Sequence, residues 1–449
     1  MQSQSTNPQP DQESITADLQ RIKEHFDEVP YPIIPLEFNP RNNPNHSFSH
    51  SMAEAFYRRD QTIIDLRGKS ILDVGCGTGI TTQCLATANP ETEIVGIDIS
   101  PKSIEIARQR LEFHDFANVE FLAIGVEELT TLGQKFDYIN CDETLYLLPN
   151  PLLGLQMMRD VLAPMGIIRA NLHDAFQRAH YLRAQKLSKF LGILDDCPRE
   201  IAAESLCLLM NSLRDTVNLK NITWWQPEKI SDNLLFANHL LRGDKGFTIP
   251  ETFDLLEAAN LQWLGMRAPK FWNINLLFKE GENIPDELAI LFQTASESEL
   301  LYFHDLLHPV NRLIDFYCCH PDVPIRYEAP SNWDAAKWQN AQVALSPVIR
   351  DPDLEKAINQ ALEYHQPLAL NPYFKENTPE EITLLFPSVF CLKLLWSGQK
   401  SFSDLVRQYQ QALPMDLVNF RLKTSHEVAE TVKTALIDLE DLHLVLLAA

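Results

Sequence analysis

Nine consecutive residues, Ile71-Leu72-Asp73-Val74-Gly75-Cys76-Gly77-Thr78-Gly79, constrain this chain more than any other stretch. An apolar run of strand character ends at Val74, three glycines follow at alternate positions, and a helix-like segment begins at Thr78. Such glycines let the backbone turn sharply and let a ligand approach the main chain, while the next helix aims its positive N-terminus at the same place. Glycine is otherwise scarce. There are 15 in 449 residues, about half the usual share of roughly 7%. Nine of them lie between Gly68 and Gly166, and after Gly281 only Gly398 remains.

Around this loop the pattern alternates between strand and helix. Strands are expected at Ser70–Val74, Glu93–Asp98, Val119–Ile124, Phe136–Cys141 and Ile167–Leu172. Helices are expected at Thr78–Ala88, from Ser100-Pro101 to about His114, and at Pro151–Leu162. Short βαβα spacing implies a parallel sheet covered by helices on both faces. The capping box Thr248-Ile249-Pro250-Glu251 opens a helix to Asn260. Leu261–Met266 and Phe271–Phe278 then read as a closing antiparallel pair, so the sheet is expected to end near 280. The fold class is thus α/β: a doubly wound, Rossmann-like seven-stranded sheet with a helical insertion, plus a mainly helical C-terminal domain.

Three regions follow. Residues 1–60 are a tail and a helical lid segment: a polar start, a helix at Ile15–Phe26, the extended stretch Val29–Pro35 with three prolines, and a helix at Ser47–Asp65. Residues 61–280 hold the ligand-binding sheet, with an amphipathic insertion over about 173–246 that includes Trp224 and Trp225. Residues 281–449 are a mainly helical accessory domain. Its helices are expected at Pro285–Phe292, Glu297–Leu307, from Thr378, and at Val389–Trp396, Ser401–Leu413 and Ser425–Leu439. A long connection over 321–352 and a terminal strand, His443–Leu447, complete a winged-helix-like end.

Composition excludes several roles. No apolar run reaches the roughly 18 residues of a membrane span. The polar first twenty residues resemble neither a secretory signal nor a transit peptide, so a cytoplasmic location is expected. Eight cysteines in apolar surroundings do not make a disulfide framework. A net charge of −23 opposes nucleic-acid and anionic-membrane partners. Beyond residue 280 there are 12 basic and 24 acidic residues, so the winged-helix-like end fits protein contact or regulation better than DNA.

Asp98, 19 positions after Gly79, ends the second strand, where a carboxylate can take both hydroxyls of a ribose. Dinucleotide folds want G-x-G-x-x-G. Here the spacing is G-x-G-x-G behind Asp73, whose carboxylate would repel a pyrophosphate and suit an α-amino group. This resembles the acidic-x-G-x-G-x-G loop of the class I S-adenosylmethionine (SAM) methyltransferases. Val95–Asp98, Phe136–Cys141, Leu145–Pro151 and Leu162–Gly166 resemble that family's later motifs in order. The likeness covers 69–172 well and runs more weakly to about 280. The lead Phe26–Pro32 and Phe247–Pro250 are also similar to bacterial members, among them enzymes that modify outer-membrane-protein lysines and others fused to tetratricopeptide repeats.

The resemblance implies SAM as cofactor. It implies that Asp73, Gly75, Cys76, Gly77, Thr78, Gly79 and Asp142 serve the methionine end, Asp98 the ribose, and Ile99, Val126 and Glu127 the adenine. Departures are Ile124-Gly125-Val126-Glu127 where Gly-Asp is common, Leu147 in place of a histidine, and Met165 in place of a glycine. In-line transfer of a methyl group needs orientation and exclusion of water, and a general base only if the acceptor must lose a proton. Candidates for acid, base or positioning roles are His173, Tyr31, Asp142 and Tyr146, with Glu143, Asp174 and His180 beside them. The acceptor is expected to be an oxygen, nitrogen or carbon of a small molecule or protein. The alternatives are a SAM-binding scaffold without catalysis and a short-chain dehydrogenase; the second lacks its Tyr-x-x-x-Lys pair. Cys76 reads as a small filler. His304, His308 and Cys318-Cys319-His320 have no standard metal spacing, and no metal is expected.

Overall fold

The computed structural model describes residues 12–40, 49–194, 197–224, 226, 230–279, 284–370, 382–416 and 419–449. The polar start before residue 12, Trp225 and the helix start at Thr378 lie outside them.

The alternation read around the glycine loop is present. Strands β1 (Ser70–Val74), β2 (Glu93–Ile97), β3 (Val119–Leu122), β4 (Phe136–Cys141) and β5 (Leu162–Asp174) are followed by β6 (Gly246–Phe247), β7 (Gln262–Met266) and β8 (Leu313–Cys319). Seven strands run in the order β3-β2-β1-β4-β5-β8-β7, and the short β6 pairs with the end of β5. β1 through β5 are mutually parallel; β8 is antiparallel to both β5 and β7. The order in which strands are added switches sides between β1 and β4, and the crevice beyond their carboxyl ends is where such sheets bind ligands.

The expected closing strand pair is not formed. Phe271–Phe278 is not a strand but two 3-10 turns, Pro269–Trp272 and Ile274–Leu277. The antiparallel place is taken by β8, after helices at Asp286–Thr294 and Glu297–Leu307. The sheet therefore does not end near 280 but at Cys319. The reason is packing: Ile314, Phe316 and Cys318 of β8 are fully buried between β5 and β7, whereas Leu276 is largely exposed.

The insertion forms helices at Ala179–Phe190, Arg199–Ser212, Asn218–Thr223 and Asp232–Ala237, with a small core around Leu206, Met210, Trp224 and Leu235. A second large core begins at Trp333 and runs to the C-terminus. Its strand Gln342–Leu345 stands between Lys400–Ser401 and Val445–Ala448, and helices Pro352–Glu363, Phe386–Leu395, Phe402–Ala412 and Ser425–Asp441 pack around it. The expected connection over 321–352 thus carries a helix, Ala335–Asn340, and a central strand. Among the described residues no helix is long and apolar enough to cross a membrane.

The N-terminal segment is tied to the glycine loop. The Thr78 amide donates to the Tyr31 carbonyl at 3.1 Å and the Thr78 hydroxyl to the Pro32 carbonyl at 2.7 Å. Arg110, fully buried, donates to the carbonyls of Thr78, Ile34 and Pro35. Helix Gln12–Glu28 and the strap through Val29–Pro35 are thereby held over the carboxyl ends of β1 and β2.

Candidate functional site

The loop conformation explains its composition. Gly75, Gly77 and Gly79 all have positive φ, and a Cβ on Gly77 would run into the Tyr31 carbonyl oxygen. Beyond the loop lies one cavity of about 580 Å³, a size ordinary for small-ligand sites. It runs between the sheet, the strap and the helical insertion.

At one end are Gly75, Cys76 and Gly77 of the loop, Asp98 and Ile99 after β2, and Val126 and Glu127 after β3. The Asp98 carboxylate accepts from the amides of Gly77 (3.0 Å) and Ser100 (2.8 Å), and no ion pair reaches it among the described residues. Burial pushes its pKa up to about 6. A hydroxyl-bearing ligand suits a carboxylate so placed, because it supplies donors without a counter-charge. Cys76 is buried, and burial together with the Asp98 and Asp73 charges pushes its thiol well up, which opposes a reactive thiolate.

Three loop residues stand elsewhere. Asp73 lies beneath the loop, outside the cavity lining, with its oxygens taken by the Thr82 hydroxyl (2.6 Å) and the Asn140 amide (2.9 Å). Thr78 and Gly79 also lie outside the lining. Thr78 anchors the strap, and Gly79 opens helix Ile80–Ala88 against Ala107.

A polar row crosses the sheet below the cavity. Asp73, Asn140 and Arg169 are register partners on β1, β4 and β5. Arg169 donates to Asn140 at 3.0 Å, to Asp142 at 3.2 Å and, through two bonds, to Asp315 of β8. Asp142, which lines the cavity, also meets His50 at 3.2 Å and accepts from Asn171. Burial alone would raise its carboxyl, but Arg169 and His50 outweigh burial and hold it far below the carboxylate range. Asp142 is therefore a fixed negative charge at the middle of the cavity.

At the other end stand Tyr31, Tyr146, Glu143 and His173, joined by Arg312. His173 Nδ1 is 2.6 Å from Asp244 Oδ1, and its Nε2 is 3.0 Å from an Arg312 nitrogen. An Arg nitrogen only donates, so Nε2 is the acceptor and Nδ1 carries the proton toward Asp244. Burial holds the imidazole below its ordinary value, with Asp244 pulling the other way. Tyr146 stacks on His173 with centroids 3.7 Å apart and donates to Glu143 at 2.7 Å, while Glu143 also pairs with Arg312. Asp244 is further held by Arg178 and Gln185, both at 2.8 Å. Tyr31 faces Glu143 and Arg312 and is half exposed.

The sheet explains this convergence. His173 pairs with Gly246 of β6 on one side and Leu313 of β8 on the other, so Asp244 and Arg312, just outside those strands, arrive at its two edges. Sequence reasoning missed both, along with Arg169 and His50. Two other candidates are not brought in: Asp174 is paired with Asp305, and His180 packs on Tyr181, both outside the lining. His304 packs on Trp272, and Cys318 and Cys319 are within β8.

Comparison with known proteins agrees with this geometry. Residues 65–226 match the model of a family described as a methyltransferase domain. An uncharacterised protein of Synechococcus sp. is 25% identical over 68% of this chain and 72% of its own length. A ubiquinone biosynthesis O-methyltransferase of Neisseria meningitidis is 33% identical over 23% of this chain, and the match spans 44% of that enzyme. Among solved structures, PKMT2 from Rickettsia typhi in complex with AdoHcy shares the fold with a TM-score of 0.59 at 17% identity, over 93% of this chain and 76% of that one. The loop, the sheet order and the family match together make residues 65–226 a methyltransferase domain of the class I SAM-dependent family.

Proposed function

We propose that the chain transfers a methyl group from SAM to an acceptor that must lose a proton, an oxygen being favoured. The observation that carries this is the continuity of one cavity from the Asp98 carboxylate to the His173–Asp244 pair. The stretch of Neisseria O-methyltransferase sequence that the chain matches supports the choice of oxygen.

In this reading Asp98 accepts from the ribose hydroxyls, Ile99 and Val126 flank the adenine, and Glu127 borders its rim. Gly75, Cys76 and Gly77 offer main chain to the methionine end, and Asp142 attracts its positive charge. Asp73 supports the loop from below. When bound, SAM supplies an electrophilic methyl carbon on a sulfonium. The chain contributes alignment and dryness: strap and insertion close the cavity, and Asp142 fixes where positive charge settles. His173, neutral and oriented by Asp244, takes the acceptor's proton at Nε2 once the acceptor replaces Arg312 there. Tyr146 and Glu143 hold the ring and the guanidinium in place, and Tyr31 borders the acceptor.

Calorimetric titration with S-adenosylhomocysteine tests the cofactor half: the whole chain should bind it, and Asp98→Ala should weaken binding by about 10- to 100-fold, the worth of a charged hydrogen bond. Labelled SAM with a cell extract tests the second half. Label reaching no acceptor in any fraction would leave a binding scaffold without catalysis.

A further inference from the structure

Arg199 opens helix Arg199–Ser212 and lines the cavity, half-buried, with its guanidinium carbon 3.4 Å from the Phe236 ring centroid. The placement runs against ordinary stability. A cation at a helix N-terminus opposes the helix dipole, and stacking over a ring in a partly dry site removes hydration. The face of the Phe236 ring returns part of this cost. Among the described residues Arg199 makes no hydrogen bond or ion pair; Asp232, Glu28 and Glu200 influence it only from a distance. The helix itself is preceded by Pro198 and has no side-chain cap, so no cap side chain accepts from its first amides.

Arg312, the other arginine lining the cavity, and Asp142 are already engaged. Arg312 is paired with Glu143, and Asp142 with Arg169. The insertion lines the cavity with Leu234, Phe236 and Leu241 beside the amides Asn233 and Asn238, and the N-terminal helix lines it with Ile22 and Phe26. Phe236 is two residues from Asn238, which Arg178 holds at 2.6 Å while also holding Asp244. The Arg199 wall is thus the same piece of structure that positions His173.

We propose that Arg199 is the recognition point for an anionic group, carboxylate or phosphate, on a small amphiphilic acceptor whose apolar body lies along Phe236 and Leu241. A guanidinium held over a ring face and without a hydrogen-bond partner keeps its fork of donors free for two-point contact with such an anion. The inference rests on the cavity being the cofactor and acceptor site.

The test uses the whole chain saturated with S-adenosylhomocysteine. Decanoate and decyl phosphate, each below micelle formation, are titrated against the neutral decanol. One of the anions should bind at least about tenfold tighter than decanol, and which one identifies the group. Arg199→Met should bring that preference below about threefold, Arg199→Lys should keep part of it, and neither should change affinity for S-adenosylhomocysteine. Equal binding of anions and decanol, no binding of either anion, or a preference that survives Arg199→Met would overturn the proposal. Failure of S-adenosylhomocysteine to bind would instead remove the reading of the cavity beneath it, and the proposal with it.

Discussion

Nδ1 of His173 stands 2.6 Å from Oδ1 of Asp244, and solvent reaches neither side chain. With Arg312 on the opposite nitrogen, the ring is locked in one tautomer. The pair joins the end of β5 to the turn before β6, so its geometry is a property of the sheet and not of a mobile loop.

This gives a first prediction. Asp244→Asn should lower kcat by roughly 10²- to 10⁴-fold, the usual range for disabling a general base, with little change in S-adenosylhomocysteine affinity. The pH profile separates this from a structural effect. Burial keeps His173 below its ordinary value, so the wild-type kcat/KM should decline at a lower pH than an ordinary imidazole base would give. Asp244 raises that value, so its removal should move the inflection further down. An inflection that stays in place would remove His173 from proton transfer.

Asp98 leads to a second prediction. Burial lifts its carboxyl to about 6, and a protonated carboxyl is a poorer acceptor for ribose hydroxyls. Affinity for S-adenosylhomocysteine should therefore be full at pH 8 and fall as pH drops through about 6. In Asp98→Asn it should be weaker and nearly flat over that window. Asp73 is also raised by burial but lies behind the loop, so Asp73→Asn should leave the slope intact. A slope that disappears in Asp73→Asn and persists in Asp98→Asn would reverse the two roles.

Gly77→Ala is a third case. The residue has φ of 51°, and an added methyl meets the Tyr31 carbonyl that the strap presents to the loop. The chain should lose roughly 1–3 kcal/mol of stability and bind S-adenosylhomocysteine more weakly, because strap and loop cannot both keep their places. Thermal melts and calorimetry on the same preparation check this; a variant equal to wild type in both would mean the strap is not packed on the loop.

The contrast between these residues shows what could be read from the chain alone. Gly77 and Asp98 were legible because the backbone and the ligand each demand a particular residue at a particular spacing. Asp244 and Arg312 were not. They sit in ordinary turns, Arg242-Gly243-Asp244-Lys245 and Pro309-Val310-Asn311-Arg312, and acquire a role only when β6 and β8 flank β5. The same holds for β8. Leu313–Cys319 and Phe271–Phe278 are both short apolar runs, and nothing local says which one finds partners. Asn273 instead caps a 3-10 turn with its side chain, a local hydrogen bond that competes with a ladder.

A fourth prediction concerns Asp174 and Asp305, two buried carboxyls that act on each other at the end of β5. Burial and the Asp174 charge push Asp305 up to about 8, and Asp174 is raised as well. The folded chain therefore keeps a proton that the unfolded chain, with its carboxyl near the ordinary value of about 3.9, releases. Stability should fall as pH rises from about 4 toward 8. Asp305→Asn keeps a donor toward Asp174 and cannot ionise, so its melt at pH 8 should lie about 2–4 °C above wild type, with little difference at pH 5. Equal melts at pH 8 would mean that the two carboxyls do not share a proton.

The last prediction follows from the place of β8. A chain ending at 280 lacks the strand that pairs with β5 from Ile168 to His173 and carries β7 on its other side. It also lacks Asp315, leaving buried Arg169 without its two-point partner, and Arg312, leaving His173 Nε2 without its donor. Such a chain should show no cooperative melt and no S-adenosylhomocysteine binding. A chain ending at 329 keeps the whole sheet and gives up the C-terminal core, together with Glu440, to which the Tyr57 and Tyr327 hydroxyls donate at 2.9 Å. It should melt cooperatively at a lower temperature than the full chain and bind S-adenosylhomocysteine within about tenfold of it, because no loop or cavity residue is removed. Circular dichroism melts and calorimetry on the two truncations decide the matter. Cofactor binding by the chain ending at 280 would show that β8 is dispensable to the sheet, and loss of folding in the chain ending at 329 would show that the C-terminal core and the sheet fold as one unit.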